Sequence, residues 1–216
     1  WHPRFIFGSH MPDCSTHNVL RWSTPTSWVS QATHALKSLL NAHAHLERKA
    51  ANNALELLSR HPAKSDAASA RHWTSVLTGI ALDEVEHLKA VNTLLARRGG
   101  ILSPSHRNPY ATALRNLVSH GRAGELMDRL LISALIELRS FERFEMLADG
   151  ITDETLGRLY RRLAVSEQGH YVIFLELASH VTPQVEVMSR WDTMLDAEAV
   201  IIAAQTPGPR MHSGTI

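Results

Sequence analysis

Two short segments restrict what this chain can fold into more than anything else in it. Glu84-Val85-Glu86-His87 and Glu167-Gln168-Gly169-His170 repeat one pattern, a carboxylate followed three residues later by an imidazole. Each falls where a helical apolar stripe should continue: Trp73, Leu77, Ile80 and Val91 around the first, and Leu159, Leu163, Tyr171 and Phe174 around the second. Residues i and i+3 share a helix face, so acid and imidazole address the same region of a core. A buried carboxylate without a partner is costly, so other helices must supply one. Two further stripes carry an acid each, Glu47 among Leu40, His43, Ala51 and Ala54, and Glu137 among Leu130, Ala134, Phe141 and Phe144. One Glu-x-x-His alone is weak evidence, since a chain of this composition contains roughly one by chance. The weight lies in the chain order Glu, Glu-x-x-His, Glu, Glu-x-x-His.

The segments bearing these residues read as four long helices. The first runs from Thr24-Pro25-Thr26 to about Arg60 and is stopped by His61-Pro62; the second runs from Ser65-Asp66 to Arg98 and is stopped by Gly99-Gly100. The third covers about 123–148, and the fourth starts at Thr152-Asp153-Glu154 and ends near His180. A shorter fifth helix spans roughly 184–204, and the tail from Thr206 reads as irregular. Short turns join helices one to two and three to four. A longer connection, 99–122, with a short helix from Tyr110 to Ser119, lies between them. Two hairpins joined by a crossover define an all-α, ferritin-like four-helix bundle with an additional C-terminal helix.

In that bundle the six side chains Glu47, Glu84, His87, Glu137, Glu167 and His170 form a carboxylate-rich ligand set for two metal ions. Four carboxylates balance two divalent cations, whereas helix-surface ion pairs would not place these residues in apolar stripes. An oxygen-rich doubled site favours iron over zinc, while ligand type leaves manganese open. Glu86, Asp83, Glu142 and Glu145 sit off the stripes and read as solvated, with an acceptor role behind a ligand histidine as the alternative for Asp83, and His43 reads as a core or supporting residue. Glu198, on the fifth helix, reads as a rim residue.

The 216 residues suit one domain: 25–205 as the bundle, 11–24 as an N-terminal extension and 206–216 as the tail. Gly8-Ser9-His10-Met11 looks like a tag remnant, so residues 1–10 are set aside and Met11 is taken as the native start. No apolar run approaches a membrane span or a secretory signal, and the single Cys14 excludes an internal disulfide framework; a cytoplasmic location is expected. The net charge of +1 gives no global attraction to nucleic acid. From Arg97 to Gly124, however, there are five arginines and no acid.

The blocks "LERKAANNALELL", "DEVEHLKAVNTLLARRG", "LIELRSFERF" and "SEQGHYVIFLELA", with "RNPYATALRNLV" in the crossover and "RMHSG" near the end, resemble the bacterial tRNA 2-methylthio-N6-isopentenyladenosine hydroxylases. These are non-haem di-iron monooxygenases of ferritin-like fold, and the similarity runs from about Pro25 to Gly214. The resemblance implies two irons, with Glu47 and His87 on one, Glu137 and His170 on the other, and Glu84 and Glu167 bridging. It implies hydroxylation of the isopentenyl group on the modified adenosine at tRNA position 37, with O2 as co-substrate and two electrons from an external reductase or ferredoxin. The tRNA anticodon stem-loop is then a partner. Arg97, Arg98, Arg107, Arg115 and Arg122, with Arg158, Arg161 and Arg162 as a second cluster, are the candidates for its phosphates. Oligomeric state is left open, a monomer included. Competing readings are a ferritin- or rubrerythrin-like iron or peroxide oxidase, a di-iron hydroxylase of a small molecule, and a metal-free helical module.

Overall fold

A computed structural model describes residues 19–62 and 65–215, apart from the side chains of Arg122 and Ala123. The tag-like segment 1–10, the first part of the extension, 11–18, and the side chain of Arg122 therefore lie outside the described residues. The described chain forms seven helices: α1 (Ser27–Thr33), α2 (Leu36–Leu58), α3 (Ala67–Arg97), α4 (Pro109–Arg115), α5 (Arg122–Gly150), α6 (Glu154–Val181) and α7 (Gln184–Ala203). Helices α2, α3, α5 and α6 make the ferritin-like bundle, with α2–α3 and α5–α6 as its hairpins and residues 98–121 as the crossover.

Local chemistry sets the ends of these helices. Asp66 caps α3 by accepting from Ser69 N at 2.7 Å, and Asp153 caps α6 by accepting from Thr155 N and Leu156 N at 3.0 and 3.1 Å. Gly99 takes φ +68°, a left-handed conformation that lets the chain turn back so that Gly100 N reaches Leu95 O at 3.0 Å and ends α3. The apolar stripes meet inside: Trp73, Leu77, Ile80, Leu130, Ala134, Phe144, Leu163 and Phe174 are all buried. Trp73 also donates its indole N–H to Leu57 O at 3.0 Å, closing the far end of the first hairpin.

The first long helix departs from the sequence expectation. It is two helices, broken at His34 and at Ala35, whose φ −131° and ψ 69° are not helical. The break lets α1 leave the line of α2 and lie across the end of α5, where Val29 packs so closely on Gly150 that a Cβ there would sit 2.8 Å from Val29 Cγ1. The crossover helix is also shorter than its expected Tyr110–Ser119 span.

The tail is irregular, as its Pro and Gly content implies, yet it is packed into the fold. Met211, His212 and Ser213 are buried. Gln31 donates to Gly214 O at 2.8 Å and Trp28 Nε1 to Ser213 Oγ at 3.2 Å. A Cβ at Gly214 would lie 1.7 Å from Gln205 O, so only glycine fits that approach.

This tail covers a second polar layer, on the face of α5 away from the bundle centre. Arg139 and Arg143 are both fully buried. Arg139 donates through Nε to Glu198 Oε1 at 2.9 Å and through Nη2 to Glu198 Oε2 at 2.8 Å. Tyr110 Oη donates to Glu198 Oε1 at 2.9 Å. Glu198 is thus no rim residue: it is wholly buried and ion-paired. Glu142, expected to be solvated, accepts from Thr24 N at 2.8 Å, from Thr24 Oγ1 at 2.7 Å and from Arg139 Nη1 at 2.5 Å. Arg143 donates to Met211 O at 2.5 Å and lies 4.6 Å over the Trp28 ring. Segment 19–24 and the tail are therefore both fastened to the helix that carries Glu137.

Candidate metal centre

Glu47 comes from the middle of α2, Glu84 and His87 from α3, Glu137 from α5, and Glu167 and His170 from α6; all six are buried. Ligand atoms from Glu47, Glu84, His87 and Glu167 lie within 4.8 Å of one another, as do atoms from Glu84, Glu137, Glu167 and His170. The two groups share Glu84 and Glu167. His87 Nδ1 stands 3.4 Å from Glu167 Oε1 and 3.7 Å from Glu84 Oε2, and His170 Nδ1 stands 2.9 Å from Glu84 Oε1.

Without cations this cluster is electrostatically unsettled. Burial first, then the neighbouring Glu84, pushes the Glu47 carboxyl well above its ordinary range. Burial and then Glu167 do the same to Glu137, while Glu167, buried beside Glu84, is raised to about 7. Glu84 goes the other way. Burial opposes its ionisation, but contacts with His170 and His87 outweigh it and hold the carboxyl below its usual range. Burial likewise opposes a charge on His170, and the contacts with Asp83 and Glu84 raise its pKa well above the usual value.

The donor atoms show what would settle the cluster. Both oxygens of Glu84, Glu167 Oε1, His87 Nδ1 and His170 Nδ1 are buried with no hydrogen-bond partner of proper geometry among the described residues, even where they approach one another. Buried polar atoms in native proteins are rarely left so. Oxygen and imidazole donors converging at this spacing fit two divalent cations, and four carboxylates match their charge.

Supporting residues complete the picture. His170 turns Nε2 to Asp83 Oδ2 at 3.2 Å, which leaves Nδ1 facing the cluster; a partner of this kind fixes ring orientation and tautomer. Asp83 is half exposed, so the link runs from the surface to the centre. Replacing Asp83 with alanine should weaken metal retention about 10–100-fold while moving the melting temperature of the metal-free protein little. Metal titration followed by thermal melting reads both, and unchanged metal affinity would remove Asp83 from this role. His43 touches Glu47 through Nε2 and stacks on Tyr160 with ring centroids 5.5 Å apart. Burial, then His87, lowers His43 to about 3, so it meets Glu47 as a neutral ring. Tyr160 went unremarked in the sequence because it reads as one more stripe residue; its proximity to Glu47 is a tertiary fact.

The arginine candidates separate into two kinds. Arg98 pairs with Asp153, Arg158 with Glu154 at 3.2 Å and Arg161 with Asp149 at 3.4 Å. Arg97, Arg107, Arg115 and Arg162 are exposed, with no carboxylate partner among the described residues.

Fold and donor set together define a ferritin-like helical-bundle protein built around a buried carboxylate and histidine cluster suited to metal. The family model described as tRNA-(MS[2]IO[6]A)-hydroxylase (MiaE) matches residues 12–213, and the chain belongs to that family. The match starts earlier than the resemblance read from Pro25 onward, and takes in the segment whose residues 22 and 24 contact α5. A tRNA 2-(methylsulfanyl)-N(6)-isopentenyladenosine(37) hydroxylase of Pseudomonas putida is 34% identical over 191 residues, covering 88% of this chain and 90% of that protein. The protein of the same description from Salmonella typhimurium is 27% identical over 240 residues, covering 91% and 88%. Among solved structures, a Synechococcus protein described as having aldehyde deformylating oxygenase activity superposes with a TM-score of 0.82 at 30% identity, covering 91% of this chain and 96% of that one. No helix among the described residues is long and apolar enough to cross a membrane.

Proposed function

We propose that this protein is a tRNA-modifying monooxygenase that hydroxylates the isopentenyl group of 2-methylthio-N6-isopentenyladenosine at position 37. The observation that carries the reading is the convergence of six buried donors inside a chain of this family. Glu47 and His87 would hold one iron, Glu137 and His170 the other, with Glu84 and Glu167, common to both groups, between them. When bound, the iron pair would supply O2 activation with two electrons from an external reductase or ferredoxin and two protons from solvent, so that one oxygen atom enters a prenyl C–H bond and the other leaves as water.

The chain's own residues position and protect. Asp83 orients the His170 ring, His43 orients the Glu47 carboxylate, and the surrounding Leu, Phe and Ile side chains keep bulk water from the centre. Anticodon-loop bases are already partly unpaired, so presenting the prenyl group costs less than extracting a base from a duplex. The cytoplasm, where tRNA and reductants meet, is the location that fits.

Nucleoside analysis of tRNA from cells with and without the gene tests this reading. The hydroxylated nucleoside should vanish on deletion and return with the intact gene; its persistence after deletion would overturn the assignment. The structural likeness to an aldehyde deformylating oxygenase favours a second reading, oxygenation of a small apolar substrate. Turnover of free aldehydes without turnover of tRNA would select it.

A further inference from the structure

One part of this molecule gathers bases that no carboxylate pairs with, although single unpaired bases such as Arg97 and Arg162 also stand beside paired ones. Arg60 and Arg129 are neutralised by Glu56 and Glu125 at one end of α2 and α5, and Arg98, Arg158 and Arg161 are paired near the start of α6. Arg48, Lys49, Arg107, Arg115 and Arg210 have no carboxylate partner among the described residues. The segments that bear them, 48–55, 97–124 and 199–216, contain no acid at all.

Specific contacts bring these segments together. Asn41 exchanges two hydrogen bonds with Ser103, at 3.1 and 2.8 Å, and His45 Nε2 lies 3.0 Å from Ser103 O, which lays the crossover along α2. Lys49 donates to His106 O at 3.3 Å, and the His45 and His106 rings stack 5.1 Å apart. Asn108 and Tyr110 in turn meet His212 of the tail. The outcome is crowded positive charge. Lys49 is lowered by partial burial, then by Arg48 and Arg115; His106 is lowered to about 4 by burial, then by Lys49, His45 and Arg210. No carboxylate among the described residues pairs with any of these cations.

We infer that the outer side of α2, the crossover and the tail form the docking surface for the phosphate backbone of the tRNA anticodon stem-loop, with Arg48, Lys49, Arg107, Arg115 and Arg210 as its cations. The inference rests on the proposed function for its choice of RNA. Five bases unaccompanied by any acid suit a uniformly anionic polymer better than a protein surface, where an apolar patch forms the centre of contact. Arg48 and Lys49 follow Glu47 directly in α2, so the same helix faces the metal donors on one side and the backbone on the other. Of the arginines expected from sequence to contact tRNA, this surface keeps Arg107 and Arg115.

Binding of an unmodified tRNA transcript across a range of salt concentrations tests the surface independently of turnover. Arg48→Glu/Arg115→Glu should weaken binding at least about 10-fold and reduce the slope of log K against log salt by about 1.4–1.8, the loss of two phosphate contacts. The charge-matched pair Arg71→Glu/Lys89→Glu on α3 should keep wild-type affinity and slope, and all three proteins should melt alike. Equal affinity and slope in all three would overturn the proposal, and if the tRNA in cells is hydroxylated normally the function would stand without it. Weaker binding by the α2 and α4 pair, in a protein whose deletion leaves tRNA nucleosides unchanged, would uphold the surface and overturn the function. Wild-type tRNA binding with lost reduction by an acidic ferredoxin would assign the face to a protein and overturn the proposal.

Discussion

Glu137→Gln is expected to leave a folded bundle that no longer retains its metal pair. Glu137 is buried, and burial together with Glu167 shifts its carboxyl toward the neutral form in the metal-free protein, so a neutral amide of the same shape disturbs that state little. The difference appears on loading, when the carboxylate must ionise and the amide cannot. Loss of a supporting partner costs about 10–100-fold in metal affinity, so loss of a donor should cost about 100-fold or more. At a concentration where wild type gains from metal, a 100-fold weaker site forfeits about 2.7 kcal/mol of stabilisation. For a chain of this size that is roughly 5–10 °C of melting temperature. Iron per chain should fall, and oxygen-dependent turnover with it. A variant with two bound ions and the full thermal gain would show that Glu137 is not a donor. His170→Ala should behave alike on loading, with an added penalty for the cavity it leaves.

Glu198→Gln should destabilise the protein more than any single change at the metal donors does in the metal-free state. It leaves the shape of the layer intact but removes the charge that faces Arg139 through two hydrogen bonds of 2.9 and 2.8 Å. Arg139 is wholly enclosed and has Arg143 beside it, so the remaining Glu142 must serve two guanidinium groups. Breaking a buried pair on one side costs about 3–5 kcal/mol, on the order of 10 °C here. Arg139→Met/Glu198→Leu removes both charges and should recover much of that loss, because the penalty belongs to the stranded charge. Thermal melting of the two variants decides the matter: Glu198→Gln melting within about 2 °C of wild type would mean that Glu198 does not neutralise Arg139.

Much of the bundle was legible because its signals are local and periodic. Asp66 and Asp153 announce helix starts, Gly99-Gly100 announces a stop, and acids standing in apolar stripes announce a shared need. The convergence of the six buried side chains was readable for the same reason, since an acid interrupts each of four stripes and the four interruptions match. Other features depend on what lies far away in the chain. Nothing at His34 or Ala35 is a helix breaker, and α1 turns aside because Trp28, Gln31 and Val29 find partners in the tail and on α5. Glu198 looked like a rim residue for want of an imidazole. Its true partner was an arginine, and pairing the acid of α7 with Arg139 and Arg143, four apart on α5, was the available clue. The ion pairs of Arg98, Arg158 and Arg161 were not legible in isolation because their partner acids, Asp153, Glu154 and Asp149, cap or adjoin helix ends.

The layer that binds Arg139 and Arg143 also bears on the order in which the chain assembles. Its contacts join residues 117–119 positions apart on one side, from Trp22 and Thr24, and 59–68 apart on the other, from Glu198 and Met211. Each bundle hairpin, by comparison, can zip from a nearby turn. Distant contacts must first offset the entropy of closing long loops, so the two hairpins gather early and this clasp is fastened late. Early intermediates would therefore expose two guanidinium groups on an otherwise collapsed helix, an arrangement that keeps such species soluble until their counterparts arrive.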